Sequence, residues 1–291
     1  MNCNLYIYGN PQIMMQLYDS TCFDCSRLIT NKYSTSFSLG IKAFSPKFRD
    51  PIYAIYGFVR YADEIVDTFH DFDKAKLIAT FRADTFKAIE ERISLNPVLH
   101  AFQVVVNHYG IEADLIDAFL TSMEMDLYAN TYDEDGYKAY IYGSAEVVGL
   151  MCLRVFCEGN DAQYRALVSH ACALGSAFQK VNFLRDVKAD KEERGRTYFP
   201  NVNFDKFTEC DKQEIEQDIQ RDFDMGYEGI KMLPVGCKLG VYIAYTYYKQ
   251  LFKKISTTPV DHILQKRVRV SDTRKIALFA QAVMQQKLKA I

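Results

Sequence analysis

A single all-α domain is the fold this sequence predicts, and three observations carry that reading. Helical apolar spacing recurs along most of the 291 residues. Gly and Pro number only 14 and 7, too few for an all-β or loop-rich chain of this length. No hairpin signature, solenoid-length repeat or low-complexity linker interrupts the pattern, so residues 1–291 read as one unit. A net charge of -2 gives no reason to expect a nucleic-acid partner.

In chain order, residues 14–29 read as a helix ending near Asn31, followed by a polar stretch at 32–36. The next long helix is expected to begin at Asp50-Pro51, with the proline in its first turn, and to run through Ile52, Ile55, Val59 and Ala62 to about Phe69. Periodic segments follow at 73–93, 97–108, 112–129, 134–158 and 161–190, each bounded by Asp, Asn, Gly or Pro in capping positions. After a less regular stretch at 192–207, helices resume at 211–232, 236–255 and 271–289. Residues 140–156 are apolar nearly all round, the mark of a helix buried on most sides at the centre of a bundle.

No apolar run approaches the ~18 residues that span a bilayer, and the first twelve residues lack a basic region followed by an apolar stretch, so a cytoplasmic protein is expected. The eight cysteines do not form a disulfide framework, and most read as small buried apolar residues. Cys22 and Cys25 have CxxC spacing, which fits either packing or half of a redox or zinc site. No second CxxC and no paired histidines complete a tetrahedral set.

Chemistry concentrates in two boxes, Asp63-Glu64-Ile65-Val66-Asp67 and Asp186-Val187-Lys188-Ala189-Asp190. Carboxylates four apart share a helix face, so each box presents two oxygen ligands to one cation. On the first helix Tyr56, Arg60, Asp63 and Asp67 form one polar stripe. On the second, Gln179, Asn182, Asp186 and Asp190 form another, with Arg185 beside them. Either stripe alone fits a solvated salt-bridge face. Together, on helices otherwise rich in apolar residues, they indicate buried carboxylates that need metal or cationic partners. Oxygen-only ligands point to Mg²⁺, which keeps positions open for phosphate oxygens, and so to a diphosphate substrate. Arg185, Lys188, Arg194 and Arg196 supply charge partners for phosphates, although Arg194 and Arg196 also fit a solvated turn.

These boxes sit among further motifs: Tyr33-Ser34-Thr35-Ser36-Phe37, Met125-Asp126-Leu127, the segment from Tyr140 through Val148-Gly149, and Arg194-Gly195-Arg196-Thr197-Tyr198-Phe199-Pro200. In order and spacing the chain resembles the squalene and phytoene synthase family of head-to-head isoprenyl diphosphate synthases, and within it the bacterial phytoene synthases. The resemblance implies a helical bundle of the isoprenoid synthase type with a central cavity. It implies Asp63 and Asp67 as metal ligands on one side, with Asn182, Asp186 and Asp190 on the other, and Tyr56 and Arg60 beside the reacting centre. Tyr33, Ser34, Ser36, Phe37, Asp126, Val148, Gly149, Gln179 and Arg185 would contact substrate. Tyr242 and Arg267 would face the diphosphates, with a core role for Tyr242 standing as the alternative.

The implied reaction joins two isoprenyl diphosphates with Mg²⁺, or Mn²⁺ in its place. Phytoene from two C20 diphosphates is the expected product. Dehydrosqualene, presqualene diphosphate or squalene from C15 diphosphates is the alternative. NADPH is not expected, although the missing Gly-rich fingerprint does not exclude it. Two departures from the family pattern are Glu146, where relatives carry a small residue, and Lys188-Ala189 in place of Gly-Glu. Terpene cyclases and head-to-tail prenyltransferases usually carry denser Asp-Asp-x-x-Asp motifs, absent here, and a non-catalytic assembly factor would be expected to lose boxed aspartates that this chain keeps. A polyene product partitions into lipid, so peripheral contact on the inner face of a membrane is expected. Lys266, Arg267, Arg269, Arg274 and Lys275 are the candidate contact, against a solvated face or a diphosphate role. No protein partner or oligomeric state follows from the sequence.

Overall fold

A computed structural model describes residues 11–129, 131–192, 195–200, 202–204 and 206–287. Helices α1 (Pro11–Tyr33), α2 (Thr35–Lys42), α3 (Pro46–Asp67), α4 (Lys74–Glu91), α5 (Pro97–Tyr109) and α6 (Ala113–Tyr128) make up the first part of the chain. Then come α7 (Glu134–Ile141), a π-helical turn (Tyr142–Glu146), α8 (Val147–Cys157) and the 32-residue α9 (Asp161–Glu192). The last part is α10 (Glu209–Met232), α11 (Val235–Ser256), α12 (Val260–Gln265) and α13 (Asp272–Lys287). Among the described residues the one β feature is an isolated bridge between Thr131 and Thr197.

Capping side chains set many of these boundaries. Asn96 accepts from the backbone N–H groups of Val98 and Leu99 ahead of Pro97 at the first helical position, and Gly110 closes α5 in the left-handed conformation. Thr208 and Asp211 form a reciprocal capping box that starts α10.

The helices enclose two apolar clusters. One gathers α1, α3, α5, α6 and α8, with Phe58 stacked on Phe102 at a centroid distance of 3.9 Å. The other gathers the second half of α9 with α10, α11, α12 and the 198–207 loop, and centres on Phe183 stacked on Tyr198 at 4.1 Å. Against the expectation that no apolar run reaches spanning length, Glu134–Cys157 is long and apolar enough, by length and composition, to cross a membrane. Its apolarity has a nearer cause: Val147, Met151 and Val155 are fully buried between α3, α6 and α9, as the all-round pattern predicts.

Four boundaries differ from expectation. The polar 32–36 stretch is a helix junction, where Ser34 caps α2 by accepting from Phe37 N–H at 3.2 Å. Helix α3 starts at Pro46 after Ser45, which leaves Pro51 inside the helix, where it removes one backbone hydrogen bond. The predicted 134–158 helix is interrupted by the π turn. Short α12 lies where no helix was expected.

Close helix crossings shape the interior. A Cβ on Gly175 of α9 would lie 2.8 Å from the Ala145 carbonyl oxygen, and one on Gly240 of α11 would lie 2.1 Å from the Phe44 ring. Only glycine allows the π turn to touch α9, and α11 to touch the α2 end, at these separations. All seven described cysteines are free, and burial pushes the Cys152, Cys172 and Cys237 thiols up to about 12, as befits packed apolar residues. Cys22 and Cys25 both lie within α1, Cys22 buried in the core.

Candidate active site

Helices α2, α3, α8, α9, α10 and α11 surround one cavity of about 790 Å³. Both polar stripes face it. Tyr56, Arg60, Asp63 and Asp67 line it from α3, and Gln179, Asn182, Arg185, Asp186 and Asp190 line it from α9. Each box sits near the C-terminal end of its helix, so all four boxed aspartates gather at one end of the cavity. The opposite end is apolar, formed by Phe44, Ile52, Phe156, Leu167 and Leu233.

Cations already compensate the acidic end. Arg185 donates to Asp186 from Nη2 at 2.6 Å and from Nε at 3.0 Å, and Arg267 Nε lies 2.8 Å from the same carboxylate. Burial opposes the Arg185 charge, but the hydrogen bonds to Asp186 outweigh it and hold its pKa above the ordinary value. On α3, Arg60 pairs with Glu64, lies 4.0 Å from Asp63 and covers the Tyr33 ring at 4.4 Å from its centroid. Burial raises the Tyr56 hydroxyl, partly offset by Arg60.

Arg196 ties the two sides together. Its Nη1 reaches Asp67 and Asp126 at 3.3 Å each, its Nη2 donates to the Asp126 carbonyl at 2.7 Å, and its backbone N–H donates to the Asp190 carbonyl at 2.8 Å. Asp126 also accepts from Tyr140 at 2.9 Å. Burial pushes the Asp126 carboxyl up to about 7, against the pull of Arg196 and Tyr140.

Most of the expected site residues meet here. Tyr33, Ser34, Phe37, Asp126, Val148, Gly149 and Arg267 all line the cavity. Six positions need correction or comment. Tyr242 is absent from the cavity wall and stacks beside Tyr245 and Tyr227, because α11 turns Gly240, Val241, Ala244 and Tyr248 inward and residue 242 falls on another face. Ser36, one residue before the inward-facing Phe37, does not line the cavity. Lys188 is exposed and pairs with Glu192 at 3.6 Å, away from the boxes. Arg196 is buried as an internal partner of carboxylates and is no solvated turn. Arg194 lies outside the described residues. Glu146 stays off the cavity wall and accepts a hydrogen bond from Ser176, so its carboxylate does not disturb the apolar lining.

Sequence reasoning missed Tyr140, Tyr198 and Tyr248 as wall residues. Tyr248 donates to Asn182 at 3.3 Å and stacks on Phe178 at 4.0 Å, which fixes the base of the second stripe. The signal was present: residues 240, 244 and 248 repeat at four-residue spacing on one helix face.

The donor set fits a divalent cation held jointly with substrate. All candidate ligands are oxygens, yet among the described residues no three His, Cys, Asp or Glu side chains converge tightly enough to hold an ion alone. Mg²⁺ bound by one or two carboxylates completes its shell with water and phosphate oxygens, which this arrangement would require.

The sequence matches the squalene/phytoene synthase family model over residues 30–274. The chain belongs to the squalene/phytoene synthase family. It is 26% identical to a phytoene synthase of Arthrospira platensis, over 90% of this chain and 96% of that one. It is likewise 26% identical to the chloroplastic phytoene synthase 1 of Solanum lycopersicum, over 93% and 68%. A 4,4'-diapophytoene synthase of Staphylococcus haemolyticus is 27% identical over 65% of this chain and 66% of that one. Among solved structures, a dehydrosqualene synthase superposes with a TM-score of 0.80 at 22% identity, covering 95% of this chain and 99% of the other. The fold is therefore that of the squalene/phytoene synthases. Members of the family are prenyltransferases that typically use a divalent metal to bind isoprenyl diphosphates.

Proposed function

We propose that this family member condenses two C20 geranylgeranyl diphosphates head to head, through a cyclopropylcarbinyl diphosphate, to give phytoene. The observation that carries the reading is the pair of opposed aspartate boxes at one end of a single apolar cavity. Such a cavity suits a molecule with an anionic head and a long hydrocarbon tail. Along α9, Leu167 to Asp186 spans about 28 Å at ~1.5 Å per residue, a depth that favours a long tail. Relatives named phytoene synthase support the C20 choice.

Asp63 and Asp67 on one side, and Asn182, Asp186 and Asp190 on the other, would hold Mg²⁺. When bound, the metal stabilises negative charge on the departing diphosphate. Arg60, Arg185 and Arg267 stand around the same end as fixed cations, oriented before ionisation. As the allylic C–O bond breaks, the diphosphate leaves with the electron pair and a carbocation remains. Phe37, Tyr56, Phe178 and Tyr248 present ring faces that stabilise the cation while the apolar wall excludes water. Attack by the second substrate's double bond, loss of a proton and closure of the three-membered ring give the intermediate. Its ionisation, rearrangement and loss of a second proton give the polyene, so two diphosphates and two protons leave in all.

A C15 reading, with dehydrosqualene as product, is favoured by the relative named 4,4'-diapophytoene synthase. The test is to incubate purified protein and Mg²⁺ with C15 or C20 diphosphate, with and without NADPH, and to identify the extracted hydrocarbon. A C40 polyene with a central conjugated triene, formed from the C20 substrate independently of NADPH, is expected. A C30 product alone supports the C15 reading, and no hydrocarbon from either substrate overturns both.

A further inference from the structure

Helix α7, the π turn and α8 run on as one helix that lines the cavity from its acidic end, where Tyr140 donates to Asp126, to its apolar end at Phe156. Tyr140, Ser144, Val148, Cys152 and Phe156, each four residues from the last, are all on the wall. A regular α-helix cannot do this. At about 100° per residue, the sixteen steps from 140 to 156 would leave the last side chain ~160° from the first, on the opposite face. The π turn takes one extra residue into its ring, bonding i to i+5 in place of i+4, and so removes about 100° of that drift.

Such turns are rare within helices, and this one is held from both sides. Gly143 packs closely on α6, and Ala145 on Gly175 of α9. Glu146, the last residue of the turn and the only charged residue between Lys138 and Arg154, adds a polar hold. It accepts from Ser176 Oγ, and the Cys172 thiol, one turn earlier on α9, is hydrogen-bonded to the same carboxylate. None of these three side chains lies on the cavity wall, whereas Ala171, Leu174 and Gly175 beside them do. The grip on α9 is made from behind the wall.

We infer that Glu146 is a positioning residue: by locking the π turn to α9 through Ser176, it holds Ser144 and Val148 on the wall that substrate tails contact. The inference rests on the reading above that isoprenyl tails occupy this cavity. It concerns the tail and not the diphosphate, because Ser176 precedes Asp186 by about 15 Å along α9 at ~1.5 Å per residue.

The test is calorimetric binding, with Mg²⁺, of a non-reactive C20 S-thiolodiphosphate and of inorganic diphosphate. Glu146→Ala and Ser176→Ala should each weaken the C20 analogue at least about tenfold, the scale of one hydrogen bond to a charged group, and leave inorganic diphosphate unchanged. The double variant should bind no more weakly than either single one, since both remove the same contact. Glu146→Gln keeps an acceptor oxygen for Ser176 and should bind as wild type does. Equal loss for both ligands would make Glu146 a prop for the fold at large and overturn the inference, as would unchanged binding of the analogue by Glu146→Ala or a Gln variant no better than Ala. Hydrogen exchange reads the lock without ligand: backbone amides of 144–149 should exchange at least about tenfold faster in Glu146→Ala, with those of α5 unaffected. Unchanged exchange at 144–149 defeats the inference whatever the product. Wild-type protein that makes no hydrocarbon while the binding and exchange results hold defeats only the proposed reaction.

Discussion

Asp126 shows how far burial alters a single side chain. Its carboxyl is pushed up to about 7 by burial, only partly countered by Arg196 and the Tyr140 hydroxyl. A carboxyl whose folded pKa is raised keeps its proton where the unfolded chain has released it. The stability it contributes is therefore complete below its ordinary pKa near 4 and falls as pH rises towards 7. An Asp126→Asn variant, equal in shape and without that titration, should flatten the stability profile between those limits. Urea unfolding at pH 5 and pH 8 checks this, and an unchanged slope in the variant would contradict the assignment. Arg196 carries a companion expectation. Because its guanidinium holds the Asp67 carboxylate and both the carboxylate and the carbonyl of Asp126 at once, Arg196→Lys should lower kcat even though charge is kept, since one ammonium cannot reproduce the planar fork. Steady-state kinetics at saturating Mg²⁺ would show full activity if Arg196 served as charge alone.

At the scale of elements, two close crossings and one cap carry the architecture. Gly175→Ala places a methyl group 2.8 Å from the Ala145 carbonyl oxygen, so α9 must shift off the π turn. A loss of about 1–3 kcal/mol is expected, by the cost of overpacking, together with reduced activity because the same helix carries the second box. Thr208→Ala removes the α10 capping box and should cost about 1 kcal/mol with activity unchanged, because α10 lends only its C-terminal half to the cavity. Chemical denaturation alongside turnover separates the two cases. The long helices were legible because apolar spacing survives over many turns, as in α3 and α9. Short α2 and α12 were not: eight and six residues hold too few turns for a period, and the polar cap at Ser34 looks like a loop. The π turn has no sequence marker beyond Gly143, which packs closely on α6, while Ala145 of the same turn packs on Gly175 of α9. Both carboxylate stripes were legible from spacing alone. The misplacement of Tyr242 came from a local motif read without the phase of its helix, and Tyr248 on the inward phase was overlooked for the same reason.

The whole molecule places four aspartates at one end of a bundle and an apolar floor at the other, and this polarity is its functional content. If the floor limits tail length, Leu167→Trp should shift the product ratio from C40 towards C30 when both substrates are supplied, as read by chromatography of extracted hydrocarbons. An unchanged ratio would mean that the tails do not reach Leu167. The central claim is that boxes more than a hundred residues apart act as one diphosphate site. Its most direct measurement is diphosphate release with Mg²⁺ by Asp63→Asn and Asp186→Asn, each made alone, with helical content followed by circular dichroism. The predicted result is loss of release by at least about a hundredfold in each variant with helicity retained, as expected when one member of a preorganised charge-stabilising site is lost. Near wild-type release by either variant would contradict a shared site and reduce that box to an internal ion-pair cluster.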